Sequence, residues 1–212
     1  MSQKNVTAGG SLKIGVLISG SGTNLQALID SAKAGVLDAE IVKVISSRPD
    51  AYGLKRAEEA GIPAVALNRS IYEDKQLADQ LIVDELVASG AQYVVMAGYM
   101  RMLTSVVLDA FEDKVINLHP ALLPSFKGAH GIEDAFNFGV KVTGVTVHFA
   151  NEEYDKGPII AQRPVIINED DTLDSLEEKI HAVEHQLYPE VLQLFAQGKV
   201  VINENRTVTI LP

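Results

Sequence analysis

Short apolar runs alternate with amphipathic segments through the first 120 residues of the chain. The apolar runs, which predict strands, cover residues 12–19, 41–46, 64–67, 93–97 and 114–118. Segments of helical spacing lie between them, starting near Leu25 and covering residues 52–60, 77–87 and 106–111. Strands buried on both faces read as continuous apolar runs, and helices between them act as crossover connections. The pattern therefore predicts an α/β fold with an open, mostly parallel, doubly wound sheet of Rossmann-like type.

The pattern changes in the C-terminal part of the chain. Four further β-rich runs cover residues 144–150, 158–167, 200–202 and 207–210. The first two are joined by a polar loop over residues 151–157, which predicts an antiparallel extension of the sheet. Apolar residues then recur at steps of three and four over residues 173–194, and this spacing predicts one long C-terminal helix. The last two runs predict a small terminal hairpin.

The composition is that of a globular protein. The chain has 212 residues, of which 47% are hydrophobic, and this is enough for one domain with a proper core. We expect a single domain over residues 12–212, preceded by a disordered segment over residues 1–11, because that segment offers little surface to bury. No apolar run approaches the roughly 18–20 residues of a membrane span, and the N-terminus lacks the pattern of a signal peptide. A cytoplasmic protein without membrane contact is expected.

Two features of the composition exclude whole classes of function. The chain has no cysteine, so disulfides, zinc–cysteine sites and thiol nucleophiles are excluded. Its formal net charge is −10. Proteins hold long nucleic acids largely by neutralising phosphates, so a chain this acidic is a poor candidate for that role. A single phosphate group can still be held by a local site.

The first candidate site is the glycine-rich turn over residues 20–24, which joins the first predicted strand to its helix. Such a turn points backbone N–H groups at the edge where the strands end, and the helix dipole also favours an anion there. A dinucleotide fingerprint would need a third glycine in place of Leu25 and an acidic residue near Arg48, where the second strand ends. A single phosphate fits better, and a tight turn without a ligand is the alternative.

The second candidate site lies at the end of the fifth predicted strand. Asn117 and His119 are two residues apart, so their side chains share one side of the strand. Ligands of open α/β sheets bind in the crevice at this end of the strands. A carboxamide beside an imidazolium can hold a carbonyl oxygen and stabilise the negative charge that develops on it. The pair predicts a site that handles a carbonyl group, with a structural histidine as the alternative.

Two further segments carry acidic residues that could serve such a site. Asp155, in the polar loop, could pair with His119, raise its pKa and fix its ring. His181, Glu184 and His185 fit a zinc-peptidase pattern, but the apolar spacing of the C-terminal helix explains both histidine positions without a metal. A solvated loop and an ordinary helix are the alternatives at these two places.

Four segments have distinctive sequences, and they follow one another in order along the chain. They are ISGSGTNLQ at residues 18–26, MAGYMRML at 96–103, NLHPALLP at 117–124 and TGVTVHF at 143–149. Together they closely resemble the glycinamide ribonucleotide branch of the folate-dependent formyltransferase family, over about residues 13–200. The Asn-x-His-Pro segment marks the wider family, and the N-terminal Ser-Gly-x-Gly-Thr-Asn turn points to this branch or to formyltetrahydrofolate hydrolase.

The resemblance implies an enzyme of purine biosynthesis with two small-molecule substrates. Members of this branch transfer the formyl group of 10-formyltetrahydrofolate to the amine of N1-(5-phosphoribosyl)glycinamide, the glycinamide ribonucleotide. The implied transfer is direct: the amine attacks the formyl carbon, Asn117 and His119 stabilise the oxyanion, and Asp155 raises the pKa of His119. No metal, nucleic acid or membrane partner is implied, and the protein is expected to be a monomer or homodimer.

The resemblance also assigns binding residues. Those implied for the ribonucleotide are Gly22, Thr23, Asn24 and Glu184. Those implied for the folate are Lys75, Met100, Arg101, Met102, Leu103, Asn117, Asn151, Glu152, Glu153, Tyr154 and Asp155. Two positions depart from the family's usual pattern, namely Ala121 in place of serine and Lys156 in place of a small residue. Neither departure removes a catalytic group.

Three alternatives to the transferase stay open at this point. Formyltetrahydrofolate hydrolase usually carries an N-terminal regulatory domain, and methionyl-tRNA formyltransferase carries a C-terminal domain and a basic surface. We expect neither extra domain in this chain. A catalytically silent nucleotide- or folate-binding module is the third alternative, and the joint presence of Asn117, His119 and Asp155 argues against it.

Overall fold

The computed structural model describes residues 11–212. Its strands are β1 (Leu12–Ile18), β2 (Ala39–Ser46), β3 (Ala64–Ala66), β4 (Tyr93–Met96), β5 (Val115–His119), β6 (Val142–Phe149), β7 (Ile159–Ile166), β8 (Val200–Ile202) and β9 (Val208–Ile210). Its helices are α1 (Thr23–Lys33), α2 (Tyr52–Glu59), α3 (Lys75–Ala88), α4 (Ser105–Ala110), α5 (Gly131–Phe138) and α6 (Leu173–Ala196), with a 3-10 helix over Arg69–Glu73. The segment expected to be disordered, residues 1–11, lies outside the described residues except for Ser11. Within the described part, no helix combines the length and the apolar character needed to cross a membrane.

Seven of the strands form one sheet in the order β3-β2-β1-β4-β5-β6-β7. Strands β1 to β5 pair in parallel, and β6 and β7 are added in antiparallel pairing. Strands β8 and β9 form a separate antiparallel hairpin. The predicted open, mostly parallel sheet with an antiparallel extension and a long C-terminal helix is therefore confirmed.

The parallel strands end at nearly the same level. Ile18 is the partner of Ser46, Leu17 is the partner of Met96, and Met96 is in turn the partner of Asn117. The loops after β1, β2, β4 and β5 therefore leave the sheet side by side at one edge. This is the edge at which open α/β sheets bind their ligands.

Helices cover both faces of the sheet because alternate residues of a strand point in opposite directions. In β1, Ile14, Val16 and Ile18 pack in the core layer that contains α1 and α6. Leu17 packs in the other layer, with residues of α3 and α4. The strand is buried on both faces, as its continuous apolar run predicts.

Part of the prediction for α3 is wrong. The helical spacing of its apolar residues predicts one buried face made of Leu77, Leu81, Ile82, Leu86 and Val87. Leu77 and Val87 are instead 53% and 63% exposed, whereas Asp79 is buried. Asp79 faces inward because its Oδ2 accepts hydrogen bonds from the backbone N–H and the hydroxyl of Thr104, the N-cap of α4. The hydrophobic pattern also did not predict α5, a helix of only 8 residues.

A buried side chain in the middle of α6 fixes that helix to the sheet. Tyr188 is fully buried, and its hydroxyl lies 3.1 Å from the carbonyl oxygen of Met96 and 3.0 Å from that of Ile116. Burial raises the pKa of Tyr188 well above its usual value, so the hydroxyl stays protonated and donates to these carbonyls of β4 and β5. The contact sets the position of α6, and of Glu184 one turn before it, relative to the strand ends.

The substitution Tyr188→Phe should lower the free energy of unfolding by about 1–2 kcal/mol, because a buried hydrogen bond is lost while the ring is kept. Urea denaturation of the two proteins measures the difference. Tyr52→Phe is the matched control, since the Tyr52 side chain is 51% exposed and its hydroxyl can bond to water in the folded protein as in the unfolded chain. Equal stability of Tyr188→Phe and the unchanged protein would show that the hydroxyl does not anchor α6.

Candidate active site

The three side chains predicted to carry catalysis meet at the end of β5. His119 Nδ1 lies 3.5 Å from Asp155 Oδ2, and Asn117 Nδ2 lies 3.1 Å from His148 Nε2. His148 Nε2 is also 3.7 Å from Asp155 Oδ1, which closes the group. We call Asn117, His119, His148 and Asp155 the strand-end cluster. The structure thus brings the predicted residues together and adds His148 to them.

His148 is the member of the cluster that the sequence pattern does not single out. It lies opposite Asn117 in the antiparallel pairing of β5 with β6. Its Nδ1 is 2.8 Å from the carbonyl oxygen of Phe149, so Nδ1 carries the proton and donates it. The bare Nε2 then accepts a hydrogen bond from the Asn117 amide. This bond fixes the orientation of the amide and leaves its second N–H for a ligand.

Both ring nitrogens of His119 face acceptors. Nε2 lies 2.8 Å from the carbonyl oxygen of Phe126, so it carries the proton of the neutral ring and donates to that oxygen. Nδ1 faces Asp155, whose Oδ2 also accepts a hydrogen bond of 2.8 Å from the backbone N–H of Gly128. His119 and Asp155 are both buried. The segment after β5 therefore holds the ring and the carboxylate in place together.

The charge state of His119 differs from the expectation. Burial lowers the pKa of His119 below its usual 6.5, and the attraction of Asp155 offsets only part of that effect. Asp155 raises the pKa, as predicted, but burial outweighs it, so the net shift is downward and the imidazole is neutral before substrates bind. Burial would raise the pKa of Asp155, but the neighbouring His148 ring and the hydrogen bond from the backbone N–H of Gly128 outweigh it, so the carboxyl is ionised.

Asp155 reaches His119 because the loop after β6 folds tightly back. The backbone φ of Asp155 is 52°, in the left-handed region that residues other than glycine rarely adopt. At Gly157 an added Cβ would lie 1.7 Å from the carbonyl oxygen of Phe149, so no side chain fits there. The strained carboxylate residue and the close approach at Gly157 together return the loop toward the strand ends.

The glycine turn and α6 form a second group of predicted residues. Gly22 caps α1 with a φ of 71°, and an added Cβ would lie 2.6 Å from Gly53 Cα, so glycine is required. Asn24 Nδ2 donates a hydrogen bond of 3.0 Å to Glu184 Oε2. His181 Nδ1 lies 2.9 Å from the same oxygen of Glu184, which is buried. The residues assigned to the ribonucleotide are therefore adjacent.

A cavity that is partly open to solvent adjoins the strand-end cluster, and its total empty space, including the open part, is about 460 Å³. The predicted folate residues that line it are Arg101, Met102, Leu103, Asn117, Asn151, Glu153, Tyr154 and Asp155. Lys75, Met100 and Glu152 do not line this cavity: Lys75 begins α3 and is exposed, and Met100 lines the neighbouring cleft. Most of the predicted folate residues therefore share one cavity.

A larger open cleft of about 1150 Å³ lies next to this cavity. It is lined by Gly22, Thr23, Asn24 and Glu184, the residues predicted for the ribonucleotide. The cavity and the cleft share four lining residues, which are Tyr99, Asn117, Tyr154 and Asp155. Two ligands bound in the two spaces would meet at the strand-end cluster.

The backbone segment between β4 and α4 is held from several sides. The backbone N–H of Met100 donates a hydrogen bond of 2.9 Å to Ser19 Oγ, at the end of β1. The guanidinium of Arg101 lies 3.8 Å from the centre of the Tyr72 ring, a cation–π contact. The hydrogen bonds of Thr104 to Asp79 fix the other end. A segment fixed in this way can present its backbone groups to a flat ligand.

The histidines of α6 are arranged around Glu184 rather than around an open metal position. The rings of His181 and His185 stack with their centres 6.3 Å apart, and His181 Nδ1 is directed to Glu184. Across residues 11–212, no three histidine, aspartate or glutamate side chains are grouped closely enough to hold a metal ion.

The sequence matches the formyl transferase family over residues 12–192. The phosphoribosylglycinamide formyltransferase of Bacillus subtilis (strain 168) is 40% identical over 181 residues, covering 85% of this chain and 93% of that protein. The solved structure of glycinamide ribonucleotide transformylase 1 from Symbiobacterium toebii is 43% identical and superposes with a TM-score of 0.93, over 99% of this chain and 100% of the other.

A longer relative matches with similar identity. The trifunctional purine biosynthetic protein adenosine-3 of Bos taurus is 42% identical over 193 residues, covering 91% of this chain. The chain spans only 19% of that relative's length. The match to the family extends over most of the chain, and the Bacillus relative is similar along nearly its whole length. The chain therefore belongs to the formyl transferase family, as the four sequence segments indicate.

Proposed function

We propose that the protein transfers the formyl group of 10-formyltetrahydrofolate to the amine of glycinamide ribonucleotide, in de novo purine biosynthesis. One observation carries the proposal: two separate ligand spaces share Asn117 and Asp155 in their linings. A group-transfer enzyme needs its donor and its acceptor to meet at the groups that stabilise the transition state. The relatives' names supply the acceptor and the transfer of a formyl group, and the resemblance to the folate-dependent family supplies the donor.

In this proposal the folate occupies the cavity of about 460 Å³. The backbone of residues 100–103 receives the pterin ring, since this segment is fixed by Ser19, Tyr72 and Asp79. The loop over residues 151–155, which follows β6, also lines the cavity and covers the ring. This placement brings the formyl group of the folate to the strand-end cluster.

The ribonucleotide occupies the larger cleft. The turn of Gly22, Thr23 and Asn24 at the N-terminus of α1 binds the phosphate region, where backbone N–H groups and the helix dipole favour an anion. Glu184 accepts hydrogen bonds from the ribose hydroxyls, which gives this buried carboxylate a role without a metal. The glycinamide amine then extends toward Asn117 and Asp155, where the two spaces meet.

The transfer itself follows from the charges of the cluster. The neutral amine attacks the formyl carbon, and a C–N bond forms as the formyl oxygen becomes an oxyanion. The free N–H of Asn117 donates to that oxygen. Negative charge beside His119 raises the pKa of its imidazole, so that the ring takes up the proton that the attacking amine loses and holds it until N10 leaves. Asp155, 3.5 Å away, stabilises the imidazolium. The bond from the formyl carbon to folate N10 then breaks, and N10 takes the proton that the amine has lost.

The remaining parts of the proposal concern the protein's setting. We propose one formyltransferase domain over residues 12–212, acting in the cytoplasm on two small molecules. The chemistry requires neither a metal nor a covalent enzyme intermediate, because the Asn117 amide donates to the oxyanion and the positive charge of the His119 imidazolium stabilises it. A monomer or homodimer would serve equally, since all the residues named come from one chain.

A spectroscopic assay of folate turnover tests the function directly. Purified protein should convert 10-formyltetrahydrofolate to tetrahydrofolate when glycinamide ribonucleotide is present, and should do so far more slowly without it. Equal turnover with and without the acceptor would identify a hydrolase instead. No turnover in either case would identify a silent binding module.

The variants Asn117→Ala and His119→Ala should each lower kcat on the order of 10²–10³-fold, because each removes one group that stabilises the oxyanion. His130→Ala is the matched control: this histidine is exposed, pairs with Glu133 on the surface and lines neither space. Circular dichroism checks that all three variants fold. Rates near that of the unchanged protein would remove Asn117 or His119 from the mechanism.

The pKa of His119 should be measurable by following its imidazole signal with pH in nuclear magnetic resonance spectra. We expect a midpoint below 6.5, and a still lower one in Asp155→Asn, because the attraction that opposes burial is then lost. His181 serves as the internal reference, since its hydrogen bond with Glu184 raises its pKa above 6.5. An unchanged or higher midpoint in Asp155→Asn would contradict the pairing of Asp155 with His119.

The same shift predicts how His119 affects stability. Its pKa is lower in the folded protein than in the unfolded chain, so the unfolded chain binds more protons as the pH falls below about 6.5. The contribution of His119 therefore makes the protein less stable on acidification. His119→Asn should show a shallower loss of stability in that range than the unchanged protein when urea denaturation is repeated across pH.

A further inference from the structure

One cationic side chain of the larger cleft has no role in the mechanism above. Arg48 follows the end of β2 and lies in the lining of the cleft together with Gly20, Ser21, Gly22 and Thr23. Among the described residues that line the cleft, it is the one lysine or arginine. A guanidinium beside a glycine turn at a helix N-terminus is placed for an anionic group.

The order of the strands gives Arg48 a definite position relative to the strand-end cluster. Along the sheet the relevant strands run β2, β1, β4 and β5, and their ends are level. Arg48 follows the first of these strands and Asn117 belongs to the last, with the glycine turn between them. An acceptor that presents its amine at Asn117 therefore directs its other end toward the glycine turn and Arg48. In glycinamide ribonucleotide, that other end is the phosphate.

The electrostatics of the cleft require a cation at that end. The chain carries a formal net charge of −10, and the carboxylates of Glu184 and Asp155 also line the cleft. A phosphate dianion entering this space is repelled unless a local positive charge compensates. The backbone N–H groups of the turn supply only partial charges, whereas Arg48 supplies a guanidinium, the cationic group of its ion pair with Asp50.

The contacts of Arg48 leave part of its guanidinium free. Asp50 accepts hydrogen bonds from Nε at 3.1 Å and from Nη2 at 2.8 Å, and within residues 11–212 no acceptor bonds to Nη1. The backbone is fixed as well, because the N–H of Arg48 donates to Ser46 Oγ and its carbonyl accepts from the same hydroxyl. Asp50 and Ser46 thus hold the arginine in an extended, exposed position at the mouth of the cleft.

The neighbouring arginine is already engaged elsewhere. Arg56 donates through Nε to the carbonyl oxygen of Ser21 at 2.9 Å and through Nη1 to Gln26 at 3.1 Å. These bonds support the glycine turn itself, and Arg56 does not line the cleft. Of the two arginines near the turn, Arg48 is therefore the one available to a ligand.

We propose that Arg48 is a ligand of the acceptor's phosphate and makes the enzyme select the phosphorylated acceptor over the free riboside. This inference rests on the proposed function, since it identifies the phosphate end of the same substrate. Asp50 is a positioning residue that aligns the guanidinium. The exposed pair of Arg48 and Asp50 contributes little to folding, as is usual for surface ion pairs, so its main effect falls on binding.

A comparison of two acceptors tests the assignment. Arg48→Gln should raise KM for glycinamide ribonucleotide by about 10-fold or more, the range for a hydrogen bond to a charged group, and leave kcat unchanged. With glycinamide riboside, which lacks the phosphate, Arg48→Gln and the unchanged protein should have equal kcat/KM. Arg48→Lys should recover part of the affinity. Lysine restores the positive charge but cannot form the two-point contact with Asp50 that aligns the guanidinium.

Lys55→Gln is the control for the change of net charge. Lys55 is exposed on α2, pairs with Glu59 at the surface and does not line the cleft, so its loss should leave both acceptors unaffected. Equal effects of Arg48→Gln on ribonucleotide and riboside would overturn the assignment, as would no effect on either. An effect of the same size in Lys55→Gln would also overturn it, because the loss would then reflect net charge alone.

A binding measurement separates this inference from the proposed function. Ribose 5-phosphate titrated by calorimetry should bind the unchanged protein and bind Arg48→Gln about 10-fold more weakly, whether or not formyl transfer is observed. If the protein forms no formylated ribonucleotide but this difference holds, the proposed reaction fails and the phosphate site stands. If formyl transfer is observed but Arg48→Gln binds ribose 5-phosphate like the unchanged protein, only the assignment of Arg48 fails.

Discussion

Every part of the site depends on four parallel strands that end at one level. Because Ser46, Ile18, Met96 and Asn117 lie nearly side by side, the loops that follow them open onto a common edge. The main-chain hydrogen bonds of the sheet hold that alignment, so it does not rely on the loops themselves. A slip of one residue between two of these strands would turn the side chains at the strand ends to the opposite face.

The antiparallel pairing of β6 with β5 brings residues to the site that a purely parallel sheet would not place there. It sets His148 directly opposite Asn117 and sends the following loop back across the strand ends, where Asp155 meets His119. One amide and one imidazole are thereby oriented by two neighbours that belong to the antiparallel extension. The glycine turn and the strand-end cluster are consequently built from different halves of the sheet, and the open cleft connects them.

The sequence predicted the elements that depend on local pattern and missed those that depend on register. The strands, the long helix and the pairing of Asn117 with His119 follow from spacing along the chain. The role of His148 does not, because it requires knowing which residue of β6 lies opposite Asn117. The inward position of Asp79 and the exposure of Leu77 likewise depend on a contact with Thr104 that is distant in sequence.

The charge of His119 shows a second limit of sequence reasoning. An acid near a histidine suggests a raised pKa, and the structure does place Asp155 beside the ring. The ring is nevertheless neutral, because its burial between β5 and the segment around Phe126 has the larger effect. Burial of one atom in a fold is a property of the whole packing, and no short motif encodes it.

At position 155 the left-handed backbone conformation favours glycine, whereas the proposed chemistry requires a carboxylate. Glycine adopts a φ of 52° without strain, whereas aspartate does so at a cost that the rest of the loop must bear. Selection for stability alone would therefore favour a residue with no carboxylate. Under the proposed mechanism, a single codon change at this position would give a stabilised but inactive protein. Laboratory evolution that screens only for thermal tolerance should accordingly monitor position 155, because gains obtained there would come at the expense of turnover.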